Sequence, residues 1–197
     1  MTSNPIREGK APMTPGTTQI LFIDIQPEIV ASSKTNPPDK LIASAVALAR
    51  IGTLFGLPMV VSLVPTGQGK PQLVPELATE LAEANTLVRT MAPVFDDPAT
   101  AAAIAANERL DFVVCGLITE VAVLLACYGA LARGYEVHVP VDACGGTSQR
   151  TEEAAFRRIE SFDANTAAVA TLGAVLAQDL ASPRGGELMQ ILKPLMG

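Results

Sequence analysis

The sequence predicts a three-layer α/β/α domain on a six-stranded parallel sheet, and three observations carry that expectation. Short β-branched apolar runs alternate with longer stretches of helical periodicity. The runs are apolar almost throughout, as strands covered on both faces are. With 197 residues, 49% of them hydrophobic, the chain is long enough to bury one sizeable core.

The elements follow in order. Residues 20–25 (ILFIDI) read as the first strand, and residues 39–55 as an Ala/Leu/Ile-rich helix stopped by Gly56 and Pro58. Residues 59–64 are the second strand. Beyond a Pro/Gly loop (PTGQGKPQ), residues 74–84 are helical, 86–89 form the third strand, and 98–107 form an Ala-rich helix. Residues 111–116 (DFVVCG) are the fourth strand, and the helix over 120–132 ends at Gly134. A fifth strand (135–141, YEVHVPV), a helix (151–161), a sixth strand (165–170) and a further helix (171–179) complete the pattern. The expected organisation is an N-terminal arm over 1–15, one domain over 16–181 and a C-terminal helical tail over 182–197. In that tail Leu188, Ile191, Leu192 and Leu195 are spaced to dock on the domain or on a neighbour.

Composition narrows the function. Twenty acidic against 14 basic residues give a net charge of -6, and no Lys/Arg cluster makes the footprint of a nucleic-acid binder. Three cysteines and the single His138 offer neither a disulfide framework nor a zinc-ligand spacing, so no metal or cofactor is expected and a reducing cytoplasm is. The apolar run 121–132 is bounded by Glu120 and Arg133 and is 12 residues long, short of the roughly 20 that cross a bilayer, so no membrane partner is expected. The N-terminal residues carry charges and prolines without a continuous apolar stretch, which reads as an arm and not a secretory signal. The helix over 121–131 is apolar on every side. A second subunit is the expected cover, hence a homo-oligomer, with a deep-core position as the alternative.

In open α/β sheets ligands bind beyond the carboxyl ends of the strands, near the point where strand order reverses. Three candidates fall there. Asp24 sits among apolar neighbours, and a buried carboxylate needs a cation or a proton. Arg89 ends the third strand and offers the matching guanidinium. The segment 116–123 runs from strand into helix, with Thr119 as the expected N-cap and backbone N–H groups positioned to hold an oxyanion. Other motifs fail. The GQGK run at 67–70 has Pro71 where a phosphate loop needs Ser or Thr, no GxGxxG follows the first strand, His138 reads as a packed strand residue, and Asp142 as structural support.

An ordered set of motifs resembles the isochorismatase-like, or cysteine hydrolase, superfamily, and most of all its YcaC-like branch. It comprises Ile23-Asp24-Ile25-Gln26, Val64-Pro65-Thr66-Gly67, Leu73-Val74-Pro75-Glu76-Leu77, Arg89, the 116–123 segment (GLITEVAV), the 130–137 segment (ALARGYEV) and Val141-Asp142-Ala143. The match spans about residues 15–180. The resemblance implies an Asp–Lys/Arg–Cys triad that hydrolyses small amides or related C–N bonds through a thioester. By position Asp24 is the acid/base and Arg89 the cation, and the nucleophile's place falls on Ala122. The amides of Val121 and Ala122 are implied to hold the oxyanion. Phe22, Gln26, Pro27, Glu28, Val64, Thr66, Ile118 and Thr119 are the expected substrate-binding residues.

Ala122 is the departure. Cys127 lies five residues on, about 140° around a helix and roughly 7.5 Å along it, and so points elsewhere. Cys115 and Cys144 are expected to be buried hydrophobes. Ala122 reads foremost as a deliberately replaced nucleophile, the parent being an active amidase. The alternative is a natural member without the thiol, either a vinyl-ether hydrolase of the isochorismatase type or a non-catalytic oligomeric binding protein. The expected ligand is a small carbonyl compound.

Overall fold

The computed structural model describes residues 13–67 and 69–196. Most of the expected arm, residues 1–12, and Gln68 of the GQGK run lie outside the described residues. The first strand, β1 (Thr18–Ile23), is buried along its whole length, and a one-turn helix α1 (Pro27–Val30) and the long α2 (Pro38–Phe55) follow it. Gly56 ends α2 in the left-handed conformation, with its N–H donating back to Gly52 and Thr53, which is the stop signal working as expected.

Next come β2 (Met59–Leu63), α3 (Pro75–Glu80), β3 (Asn85–Val88) and α4 (Pro98–Ala105). Asp97 caps α4 through the Thr100 amide. The seven-residue β4 (Asp111–Leu117) leads through a π-helical turn, Thr119–Val123, into α5 (Leu124–Leu131). The chain then forms β5 (Glu136–Pro140), the two-residue β6 (Cys144–Gly145), α6 (Gln149–Glu160), β7 (Asn165–Ala167), α7 (Val169–Ala177) and α8 (Pro183–Leu192).

The strands are parallel, in the order β3-β2-β1-β4-β5-β7, with β6 added beside the end of β4. Six strands were expected on the main path and six are there; β6 is the addition. Helix α3 is shorter than its periodicity suggested, and the expected helix over 120–132 begins as the π turn. The tail docks on its own domain: Leu188 and Leu192 of α8 are buried, and α8 packs on α2 and α7. No helix among the described residues is long and apolar enough to cross a membrane.

Chain order reverses between β1 and β4, which therefore lie side by side at the switch point. Gly116 makes that closeness possible. It has φ +133°, and a Cβ there would lie 1.9 Å from the Ile23 carbonyl oxygen, so no side chain fits where β4 passes the end of β1.

Candidate active site

The carboxyl ends of β3, β2, β1 and β4 lie next to one another, and each delivers one part of the site. Asp24 is the first residue after β1. Its φ of +53° is left-handed, a conformation that Asp tolerates better than most residues, and its N–H donates to the Ser62 carbonyl at 2.9 Å. Arg89 is the first residue after β3, held by its own N–H on the Leu63 carbonyl at 2.9 Å. The two side chains meet over β2: Arg89 Nη1 donates to Asp24 Oδ1 at 2.8 Å and Nη2 to Oδ2 at 2.7 Å. Nη1 also donates to Ser62 Oγ at 3.0 Å.

This is a buried, two-pronged ion pair; Arg89 is 2% and Asp24 4% exposed. Burial raises the Asp24 carboxyl above its ordinary range, and the Arg89 hydrogen bonds and charge oppose that rise without cancelling it.

The fourth part is the turn after β4. Its first residue takes no side-chain cap, and Thr119, expected as the N-cap, is fully buried and donates its hydroxyl to Glu152 Oε1 at 2.7 Å instead. Glu120 Oε1 accepts from the Thr147 N–H at 2.9 Å, the Thr147 hydroxyl at 2.5 Å and the Thr151 hydroxyl at 2.9 Å. Two successive side chains thus tie the turn to the start of α6. The N–H groups of Val121 and Ala122 both donate to the Ile118 carbonyl, at 3.0 and 2.9 Å. The amides expected to hold an oxyanion therefore already have an acceptor, because the turn is wound back onto Ile118.

A cavity of about 420 Å³ opens where these parts converge. Asp24, Arg89 and Ala122 all line it, together with Glu28, Val64, Ile118 and Val121 from the expected set. The remaining expected residues do not line it. Phe22 is buried in β1, Pro27 is exposed in the first turn of α1, and Thr66 lies half-buried in the loop beyond β2. Gln26 is fully buried and spends its side chain on Val64, donating to the carbonyl and accepting from the N–H at 2.9 Å each. That clamp makes it a support for the wall.

Sequence reasoning missed Ile29, Ser32 and Ala92 in the lining and Ser62 beneath Arg89, while Leu117 of the lining falls within the expected 116–123 segment. Ser62 had a signal, being a polar residue in an otherwise apolar strand, as Asp24 was. Ser32 had one as well, four residues after Glu28. Ala92 had none.

None of the three cysteines reaches the cavity. Cys115, Cys127 and Cys144 are unpaired, fully buried and outside the cavity lining. Burial pushes the Cys127 thiol up to about 12 and raises those of Cys115 and Cys144 as well. Asp142 accepts from the Val169 N–H at 2.9 Å and so anchors α7, and His138 Nε2 lies 3.1 Å from Asp111 Oδ1.

Comparison with known proteins places the chain by family and fold. The chain is 26% identical over 147 residues to the probable hydrolase YcaC of Escherichia coli (strain K12), which covers 74% of this chain and 70% of that protein. It is 27% identical over 179 residues to isochorismatase domain-containing protein 2A of Mus musculus, covering 89% of this chain and 83% of that one. Among solved structures, Pseudomonas aeruginosa YcaC with hexane-2,5-diol and covalent acrylamide superposes with a TM-score of 0.87 at 24% identity, covering 93% and 92% of the two chains. Escherichia coli YcaC, described as an octameric hydrolase of unknown specificity, superposes with a TM-score of 0.88 at 22% identity, covering 94% and 92%. The isochorismatase domain model matches residues 18–173, most of the chain, and the protein therefore belongs to the isochorismatase-like hydrolase family.

Proposed function

We propose that the cavity is a hydrolase site for a small carbonyl compound, that the bond to be cleaved is a C–N bond, and that position 122 is the place of the nucleophile. The observation that carries this reading is the meeting of Ala122 with the Asp24–Arg89 pair in one cavity. With a thiol at that position, the Asp24 carboxylate takes its proton and the thiolate attacks the carbonyl carbon. The C–N bond then breaks as Asp24 returns the proton to the leaving amine, and water hydrolyses the thioester. Burial that raises the Asp24 carboxyl makes it a better base for this step. A methyl group has no electron pair to offer, so the chain as it stands binds without acylation. On this reading Ala122 is a replaced cysteine, and an intact mass set against the encoding gene tests that directly.

The functional test is the Ala122→Cys protein, assayed for release of ammonia or amine from amides, carbamates and hydroxamates, beside a second protein that also carries Asp24→Asn. Turnover by the first and a loss of about 10²–10⁴-fold in the second is the expected result. An inert Ala122→Cys protein overturns the hydrolase reading in favour of a binding protein.

A second reading rests on the absence of a thiol from the cavity lining: burial favours the protonated form of Asp24, and a carboxylic acid there can protonate a vinyl ether without a nucleophilic side chain. In that case the unaltered chain cleaves a vinyl ether and Asp24→Asn abolishes the reaction.

We also infer a homo-oligomer in a reducing compartment. Support comes from the half-exposed apolar side of α5, from the three unpaired thiols and from the description of Escherichia coli YcaC as octameric. Gel filtration with light scattering checks the assembly.

A further inference from the structure

The charges of the cavity do not balance. Among the described residues its lining contains one cation, Arg89, and each of that cation's terminal nitrogens donates to Asp24. Arg89 Nε has no acceptor among the described residues, but it is buried beyond the reach of a water-sized group, so it is not offered to a ligand. Glu28 is the remaining charged residue of the lining. It is exposed in the first turn of α1, with no hydrogen bond or ion pair among the described residues. The rest of the wall is apolar apart from Ser32, whose hydroxyl donates to the Ile29 carbonyl at 2.7 Å. Among the described residues the lining thus carries a net single negative charge, on the exposed Glu28, and no cation other than the paired Arg89.

A carboxylate entering this space loses water and meets no compensating donor of opposite charge, which is unfavourable in a confined apolar site. A neutral amide loses less, and an ammonium or guanidinium group gains Glu28 as a partner. We propose that the cavity selects neutral or positively charged small carbonyl compounds and rejects carboxylates, with Glu28 as the residue that sets the preference. The inference rests on the reading of this cavity as the binding site, and it sets the vinyl-ether alternative at a disadvantage for any substrate that carries carboxylates.

The test reads access to the cavity and does not need turnover. The Ala122→Cys protein is treated at low ionic strength with 2-aminoethyl, 2-hydroxyethyl and 2-sulfonatoethyl methanethiosulfonate, which are cationic, neutral and anionic. Labelling is followed by mass, and each rate is divided by that of the same reagent with a small free thiol. The unaltered chain, with its three buried cysteines, supplies the background.

The expected result is a normalised rate at least ten-fold higher for the cationic than for the anionic reagent, with the neutral one between. Glu28→Gln reduces that ratio, and Glu28→Lys inverts it. An anionic reagent as fast as the neutral one, a ratio that neither Glu28 variant moves, or a thiol that no reagent labels overturns the proposal. Failure of the hydrolase reading is seen separately, as an Ala122→Cys protein that is labelled with the expected charge preference but cleaves no amide.

Discussion

Asp24, just beyond β1, and Glu120, in the turn beyond β4, are carboxylates at the same end of the sheet, and their surroundings push them in opposite directions. Asp24 is buried deeply enough that its carboxyl rises above the ordinary range despite a two-pronged Arg89. Burial would raise Glu120 too, but the Thr147 hydroxyl and N–H and the Thr151 hydroxyl outweigh it and hold the carboxyl low. The difference separates two kinds of work. A carboxylate that takes three neutral donors on one oxygen, from a loop and a helix start, braces a turn, and one pushed up beside an open cavity suits the proton carrier of the proposed reaction.

The largest effect that can break this comparison is removal of the cation. Arg89→Leu leaves Asp24 buried and unpaired, and stability in urea at neutral pH falls by about 3–5 kcal/mol. The deficit shrinks in acid, where Asp24 takes up a proton. An equal deficit at both pH values contradicts the assignment of the loss to an uncompensated carboxylate.

Next in size is Gly116→Ala, which puts a methyl group into the Ile23 carbonyl and forces a non-glycine residue to φ +133°. The expected cost is about 3 kcal/mol by thermal or urea unfolding. A near-neutral substitution would mean that β4 moves away from β1 more easily than the close approach implies.

The comparison is sharpened by pH. A carboxyl raised on folding contributes most below its ordinary value near 3.8, and the contribution declines as pH rises through the folded value. A carboxyl lowered on folding contributes above its ordinary value near 4.5 and loses that contribution as pH falls through the folded value. The stability difference between the unaltered chain and Asp24→Asn should therefore fall with rising pH across the acid range, while that for Glu120→Gln rises. Slopes of the same sign defeat the distinction.

The smallest expected effect is that of Thr119→Val, which deletes the bond to Glu152 for about 1 kcal/mol. In the Ala122→Cys background it should change turnover by more than its stability cost alone suggests, because the turn then loses one of its two ties to α6. Unchanged turnover assigns Thr119 to stability only.

How legible these features were depended on how local their causes are. Asp24 stood out because a carboxylate in ILFIDI breaks an apolar run, and Arg89, 65 positions away, because it closes a strand with the matching charge; what the sequence did not show is the two-pronged geometry and the Ser62 hydroxyl beneath it. Thr119 looked like an N-cap because Thr before a helix usually is one, but the turn is π-helical and Glu152 competes for the hydroxyl. Gln26 looked like a ligand contact for its place in the motif, and the Val64 backbone claims it. Ala92 enters the cavity only because the chain after Arg89 happens to cross it.

The sequence by itself determined the strand and helix alternation, the family, and the absence of a thiol at position 122, since these depend on residue identity and on near-neighbour spacing. Only the tertiary structure decided that the carboxylate is paired at both oxygens, that the amides of the turn are occupied, and that Glu28 is the unbalanced charge at the mouth. Those are properties of distance and of exclusion from water between residues remote in the chain, and no local pattern encodes them.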